Sequence, residues 1–109
     1  MTIENFAHQL EFKVLCMPSP EKEVDGVYIG DLLSWVMGKA ESGNVWITIM
    51  SNINIVAVAS LTDVSAILVT ESVTLDDEII RTATEKGINI LSTSLSSYEA
   101  ATKIAGVIS

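Results

Sequence analysis

The sequence is poor in cysteine and histidine, with one of each, Cys16 and His8. A single cysteine excludes a disulfide within the chain and is typical of a reducing compartment, so the sequence predicts a cytoplasmic protein. Zinc sites take three or four such side chains from one chain, so no metal site is predicted. A catalytic cysteine needs a neighbouring base, and a buried, unreactive Cys16 with a solvated His8 is the simpler interpretation.

Basic residues are also scarce: six lysines and arginines stand against fourteen acids, which gives a net charge of −8. The electrostatic field of this negative charge repels nucleic-acid phosphates and anionic lipid head groups, so neither a nucleic-acid nor a membrane partner is expected. Long apolar runs are missing as well, because residues 53–61 reach only about half the length of a membrane-spanning helix. The first residues include Glu4, Asn5 and His8 and do not resemble a signal peptide.

Motifs of catalysis and cofactor binding are missing too. The chain has no P-loop, no dinucleotide-binding glycine pattern and no nucleophile elbow. Three consecutive acids, Asp76, Asp77 and Glu78, point in different directions on a helix. They suit the positive end of its dipole better than they suit a catalytic pair. The sequence therefore predicts no catalytic residue and no cofactor.

Apolar residues, in contrast, make up 49% of the 109 residues. This is enough to bury the core of one domain, which we expect to span residues 1–109. Only 18% of the residues are charged, which is low for a monomer whose whole surface faces water. A homodimer is the simplest way to cover the excess apolar surface.

The spacing of apolar residues changes between a strand period and a helix period along the chain. Residues 10–16 alternate between apolar and charged side chains, which predicts a strand, and residues 18–23 predict a loop. A short extended piece is predicted at residues 27–29, with Asp31 as the cap of a helix that runs to Ala40. Buried strands are predicted at residues 45–49, 66–69 and 88–91.

Helices are predicted to connect and follow these strands. The β-branched side chains of residues 52–63 permit a strand, but a crossover between two parallel strands needs about a dozen residues, and this segment has that length. Residues 74–87 and 96–108 carry acids or a capping box at their start and an apolar stripe after it. The alternating order predicts an α/β fold with a mainly parallel sheet of about four to five strands and helices packed on it.

The segment at residues 52–63 is apolar on nearly every side, so we expect it to be buried on more than one side. It is the leading candidate for a subunit interface, through Ile53, Ile55, Val56 and Val58. Trp35 lies beside the apolar stripe of the preceding helix, where it either caps the core or faces a partner. A self-associating chain is therefore expected.

Polar side chains follow three of the predicted strands. Parallel strands end at one edge of a sheet, so these side chains would line one groove. The alternative is that the loops are polar because they face water and because helix starts need caps. The groove offers hydroxyls and amides but neither lysine nor arginine, which suits a neutral or weakly charged ligand. The candidate ligand contacts are Thr48, Ser51, Asn52, Asn54, Thr70, Glu71, Ser92 and Thr93.

The chain resembles the DRTGG domain family in three segments: GDLLSWVMGKA, VWITIMSNINIVAVASLTDVSAILVT and EKGINILSTSLSSYEAATKI. Such domains are similar to the N-terminal domain of bacterial HPr kinase/phosphorylase, and they occur in CBS-containing pyrophosphatases and some phosphotransacetylases. The resemblance implies an α/β module for regulation or oligomerisation, with no enzyme activity established for the family as a class.

Two turns carry the family signature, and this chain differs from it in both. Residues 50–54 read MSNIN where other members have a Gly-Asp-Arg-type turn, and Thr70, Glu71 and Ser72 stand in place of Thr-Gly-Gly. Asn52 and Asn54 occupy the positions of the polar signature turn. They are therefore the best single candidates for hydrogen bonds to a ligand.

Three functional hypotheses follow from the sequence. The first is a non-catalytic regulatory or assembly module that self-associates and senses a small ligand or docks on a partner enzyme. The alternative is a small enzyme that uses the polar groove at the carboxyl ends of the strands. A structural subunit without a ligand is the third.

Overall fold

The computed structural model describes residues 1–108, in which helices and strands alternate along most of the chain. The strands are β1 (Lys13–Cys16), β2 (Val27–Ile29), β3 (Val45–Thr48), β4 (Ala66–Val69) and β5 (Ile90–Ser92). The helices are α1 (Ile3–Gln9), α2 (Leu33–Lys39), α3 (Asn54–Thr62), α4 (Asp77–Glu85) and α5 (Ser97–Ile108).

The five strands form one sheet in the order β1-β5-β4-β3-β2. Strands β2 to β5 are parallel to their neighbours, whereas β1 runs antiparallel to β5 and pairs Lys13 with Ser92. This confirms the predicted α/β fold with a mainly parallel sheet. The connections between β2, β3, β4 and β5 each contain one helix, as parallel strands require.

Helices cover both faces of the sheet and make two separate cores. One core joins α2, α3 and α4 to strand residues such as Trp46 and Ile67. The other joins α1 and α5 to the alternate strand residues, such as Ile47 and Leu68. Every residue of β3 and β4 is buried, because side chains on both faces of these strands meet a helix.

Helix α1 was not expected from the sequence, which was interpreted as a polar terminus. Ile3, Phe6 and Ala7 are buried against the sheet, and the Thr2 hydroxyl caps the helix by accepting a hydrogen bond from the Asn5 amide at 3.2 Å. The buried residues have helical spacing and the cap is of a favoured type. The signal was therefore present, but only packing on the sheet stabilises a helix of seven residues.

The segment at residues 54–62 is the helix that the crossover length predicted. Ile55, Val56 and Val58 are buried in the core between this helix and the sheet. This corrects their assignment to a subunit interface, because side chains already packed within their own chain offer no surface to another. Ile53 and Trp35 are exposed and remain accessible.

One of the predicted helix caps also needs correction. Asp31 does not cap α2; its Oδ1 accepts hydrogen bonds from the Thr48 hydroxyl at 2.8 Å and the Ile49 amide at 3.0 Å, which ties the β2–α2 loop to the end of β3. Helix α4 begins at Asp77 after Asp76, whose side chain makes no capping bond. The capping box of α5 is confirmed, with reciprocal bonds between Ser96 and Glu99 at 3.0 and 3.1 Å.

The C-terminal end of α3 is held by the Asp63 carboxylate. It accepts hydrogen bonds from Lys22 Nζ at 2.8 Å and the Ser42 hydroxyl at 2.6 Å, and Asp63 has a positive φ of 56°. The bonds from Lys22 and Ser42 hold the pKa of this carboxyl below its usual value of 3.8. An ionised Asp63 therefore stabilises the folded chain more than a protonated one.

Replacing Asp63 with asparagine is expected to lower the free energy of unfolding at neutral pH by less than about 1 kcal/mol, because the pair faces solvent. Asparagine tolerates a positive φ, so the backbone effect is small. The pKa of Asp63 is lower in the folded state than in the unfolded state. The Asp63 carboxylate therefore stabilises the fold above the unfolded pKa, and this stabilisation is lost as the pH falls through the folded pKa. Urea unfolding of both proteins should show a difference in the free energy of unfolding at neutral pH, and this difference should disappear below pH 3.8.

Candidate functional site

The carboxyl ends of the parallel strands β2 to β5 lie at one edge of the sheet. The loops after β3, β4 and β5 therefore meet at that edge, where the sequence placed its polar groove. Helix α4 follows β4 onto the face that also carries α2 and α3, whereas α5 follows β5 onto the opposite face. Where neighbouring strands send their chains to opposite faces, a crevice opens between them.

A cleft of about 550 Å³ lies at this point, and we call it the β4–β5 cleft. Strand β1 forms one wall, α4 and the loop before it form another, and the end of β5 closes it. Its apolar lining consists of Leu15, Val73, Leu75 and Ile80. A cleft of this size falls within the usual range of sites that bind small molecules.

Hydroxyls supply most of the polar lining of the β4–β5 cleft. They come from the loop after β4 and from the end of β5: Ser72, Thr74, Ser92, Thr93 and Ser94. Two charged side chains, Lys13 of β1 and Asp77 of α4, complete it. The lining can therefore donate and accept hydrogen bonds and present a charge of either sign.

Lys13 was not predicted as a site residue, and it corrects the expectation of a groove without lysine. Residues 13 and 15 share one face of β1, and the antiparallel pairing of Lys13 with Ser92 carries that face to the cleft. The alternation along β1 was visible in the sequence. The position of β1 beside β5 was not, because nothing local specifies which strand lies next to an edge strand.

The structure divides the eight predicted ligand contacts into three groups. Ser92 and Thr93 line the β4–β5 cleft. Thr48 and Thr70 are buried: the Thr48 hydroxyl bonds Asp31, and the Thr70 hydroxyl lies 2.9 Å from that of Ser97. Both hydroxyls are thus bonded within the fold, Thr48 to the β2–α2 loop and Thr70 to the first residue of α5, and neither residue lines the β4–β5 cleft.

The other four predicted contacts, Ser51, Asn52, Asn54 and Glu71, are exposed and lie outside the lining of the cleft. The Asn52 side-chain oxygen accepts a hydrogen bond at 2.9 Å from the Asn54 backbone amide, where α3 begins. Asn52 therefore stabilises its own turn. The turn after β3 and the β4–β5 cleft are two separate places at the same edge.

Large exposed apolar side chains occur at the end of β2, in the loops after β2 and β3, and in α2. The exposed apolar surface, as we call it, consists of Ile29, Leu32, Trp35, Ile49 and Ile53. The Trp35 side chain is 58% exposed, and Lys39 Nζ lies 4.7 Å from the centre of its ring. This assigns Trp35 to the surface and not to the core.

Cys16 and His8 lie on opposite sides of the sheet. Cys16 packs against the core under α2 to α4, and its thiol donates a hydrogen bond to the Ile88 carbonyl oxygen at 3.3 Å. His8 is an exposed residue of α1, which covers the other face. Burial raises the pKa of the Cys16 thiol. The two side chains therefore do not form a nucleophile and base pair.

Within residues 1–108, no three metal-binding side chains come close enough together to hold an ion. None of the helices in the same range has the length and apolar character needed to cross a membrane.

The model of the DRTGG domain family matches residues 5–107, nearly the whole chain. The chain belongs to the DRTGG domain family. This confirms the resemblance in its three sequence segments. No curated protein matches the chain.

A solved structure has the same fold as this DRTGG domain. It is the crystal structure of the CBS and DRTGG domains of the regulatory region of Clostridium perfringens pyrophosphatase, complexed with its activator, diadenosine tetraphosphate. The TM-score is 0.72 at 21% sequence identity. The match covers 94% of this chain and 45% of that chain, so this DRTGG domain spans less than half of that relative.

The turn after β4 has a strained backbone in this DRTGG domain. Glu71 and Ser72 have φ values of 60° and 57°, in the left-handed region that favours glycine. Their amides donate to the Leu95 and Thr93 carbonyl oxygens at 2.8 and 3.0 Å, which ties this turn to the loop after β5. The geometry gives a physical reason for two glycines at the signature positions, and here two bulkier residues occupy them.

Replacing Glu71 and Ser72 together with glycine is expected to raise the free energy of unfolding by about 1 kcal/mol. Each left-handed residue other than glycine costs about 1 kcal/mol or more, and the greater freedom of glycine in the unfolded chain offsets part of the gain. Chemical unfolding measures the change. Glu71→Ala is the control, since alanine retains the strain and should bring no such gain. A double variant less stable than the wild type would contradict the strained turn.

Proposed function

We propose that this DRTGG domain is a non-catalytic regulatory module that binds a small ligand in the β4–β5 cleft and self-associates. The cleft is the observation that carries the proposal. Its volume of about 550 Å³ falls within the usual range of small-molecule sites, about 300 to 1,000 Å³. As part of the proposal, residues 1–109 act as one domain in the cytoplasm.

The position of the cleft suits a regulatory role. Its walls are the loops after β4 and β5, which the Glu71 and Ser72 amides join by hydrogen bonds. Helix α4 leaves one loop for one face of the sheet, and α5 leaves the other loop for the opposite face. A ligand that binds one arrangement of these loops more tightly than another shifts both helices, and with them both faces of the module.

The related pyrophosphatase structure supports a regulatory role in general terms. There a DRTGG domain belongs to a regulatory region that was solved with a nucleotide activator. That likeness concerns the fold, and the ligand of this chain is a separate question.

A thermal-shift screen with nucleotides and central metabolites tests the proposed binding. A ligand that binds only the folded state raises the melting temperature, and a concentration of about 100 times Kd stabilises by about 2.7 kcal/mol. Any compound that does so is tested again on two variants. Ser94→Trp fills the cleft from an exposed position, and Asn52→Ala with Asn54→Ala alters the turn after β3.

The two variants are expected to behave differently. Ser94→Trp should abolish the thermal shift, and the double asparagine variant should keep it. The reverse result would move the site to the turn after β3. A screen in which no compound raises the melting temperature would favour a structural subunit that has no ligand. Conversion of a bound compound to a product would favour the enzyme hypothesis.

Self-association is the second part of the proposal, and the distribution of charge supports it. The chain carries a net charge of −8, but residues 42–62 contain no charged side chain. Two such anionic molecules repel one another least where they meet through uncharged surface. The exposed apolar surface includes Ile49 and Ile53 of this uncharged segment.

A further inference from the structure

The β4–β5 cleft contains one positive and one negative side chain on facing elements. Lys13 belongs to β1, and Asp77 belongs to the first turn of α4. The ion pairs found among residues 1–108 are the Met1 amino group with Glu23 and Lys22 with Asp63. Lys13 and Asp77 therefore line the same cleft without forming an ion pair with each other.

We propose that the cleft binds an apolar α-amino acid as a zwitterion. The ligand carboxylate pairs with the Lys13 ammonium group, and the ligand ammonium group pairs with the Asp77 carboxylate. This inference rests on the proposed function, since it names the ligand class of the same cleft. It assigns a task to each charged side chain and to the apolar wall.

The charges argue against the other classes of ligand. A polyphosphate is held by several basic groups, whereas this cleft has one lysine, a carboxylate and a protein charge of −8 around it. A neutral ligand would leave both charged side chains of the lining without a partner. A zwitterion pairs both and adds no net charge.

The apolar wall determines which amino acids fit. Leu15, Val73, Leu75 and Ile80 line the same cleft as the two charged groups. An aliphatic or similar side chain buries its surface against them, while the serine hydroxyls accept or donate the remaining hydrogen bonds of the head group. Leucine, isoleucine, valine and methionine are the expected ligands, and charged amino acids are not.

Binding of L-leucine and of two matched analogues to the whole chain tests the inference by calorimetry. The analogue 4-methylpentanoate lacks the ammonium group, and 3-methylbutylamine lacks the carboxylate. L-leucine should bind, and each analogue should bind at least about tenfold more weakly, because one charged hydrogen bond is lost. Equal affinity of either analogue and L-leucine would overturn the zwitterion assignment.

Two charge-removing variants locate the site. Lys13→Gln and Asp77→Asn should each weaken L-leucine binding about tenfold or more, and Lys13→Gln should leave 3-methylbutylamine unaffected. Arg81→Gln and Asp76→Asn are matched controls on or beside α4 that lie outside the cleft lining and should bind normally. All these positions are exposed, so the variants should fold, which circular dichroism checks.

The outcomes separate this inference from the proposed function. A nucleotide or metabolite that stabilises the wild type but not Ser94→Trp, with amino acids inactive, would overturn the amino-acid assignment and support the cleft as a ligand site. L-leucine binding that survives both Lys13→Gln and Asp77→Asn would overturn the assignment as well. A screen in which amino acids and all other compounds leave the melting temperature unchanged would overturn both.

Discussion

Replacing Asn89 with alanine is expected to lower the free energy of unfolding by about 3 kcal/mol. The Asn89 side chain is 1% exposed and makes three hydrogen bonds. Its amide group donates to the Ser19 and Ser65 carbonyl oxygens at 2.8 and 2.9 Å, and its oxygen accepts from the Ser19 amide at 2.9 Å. Alanine would leave the backbone groups of Ser19 and Ser65, which are buried or partly buried, without these hydrogen-bond partners.

The bonds of Asn89 join the loop after β1 to the amino-terminal ends of β4 and β5. Urea unfolding followed by tryptophan fluorescence measures the loss of stability. Asn54→Ala is the matched control, because Asn54 is exposed and its replacement should change the stability by less than about 0.5 kcal/mol. An Asn89→Ala protein as stable as that control would show that the loop is not held by this side chain.

Replacing Trp35 with glutamate is expected to dissociate the self-associated chain. Light scattering of the wild type at micromolar concentration should give at least twice the chain mass of 11.7 kDa, and the variant should give the mass of one chain. Trp35 is 58% exposed, and tryptophan often contributes most of the binding energy of an interface. A carboxylate buried there without a partner should weaken association about a hundredfold or more.

Tyr98→Glu provides the matched control for Trp35→Glu. Tyr98 is 77% exposed and belongs to α5, on the opposite face of the sheet from α2, so the same change in net charge is made elsewhere. This variant should keep the mass of the wild type. Dissociation of both variants would indicate general charge repulsion, and a monomeric wild type would contradict self-association itself.

Local sequence patterns predicted most of the elements because they depend on neighbouring residues. The apolar runs at residues 45–49 and 66–69 predicted buried strands, and the structure has buried strands at Val45–Thr48 and Ala66–Val69. The length of the crossover predicted α3 where β-branched residues alone would have permitted a strand. Ser96 and Glu99 predicted the start of α5 from their spacing of three residues.

The candidate site was predictable only in part. Ser92 and Thr93 lie at the end of a strand, and their place in the cleft follows from the parallel order of the sheet. Thr48 and Thr70 follow the same rule in sequence but are buried, and their hydroxyls bond Asp31 and Ser97 within the fold. Lys13 and Asp77 carry no local sign of a site, since each has an ordinary structural explanation on a strand or at a helix start.

The sequence by itself determined the α/β class, the order of its strands and helices, the net charge of −8 and membership of the DRTGG family. Tertiary structure decided that β1 lies antiparallel beside β5, that α4 and α5 leave the sheet on opposite faces, and that Ile55 packs within its own core. Periodicity and caps act over a few residues, whereas these features arise from packing between distant segments, which share no local pattern.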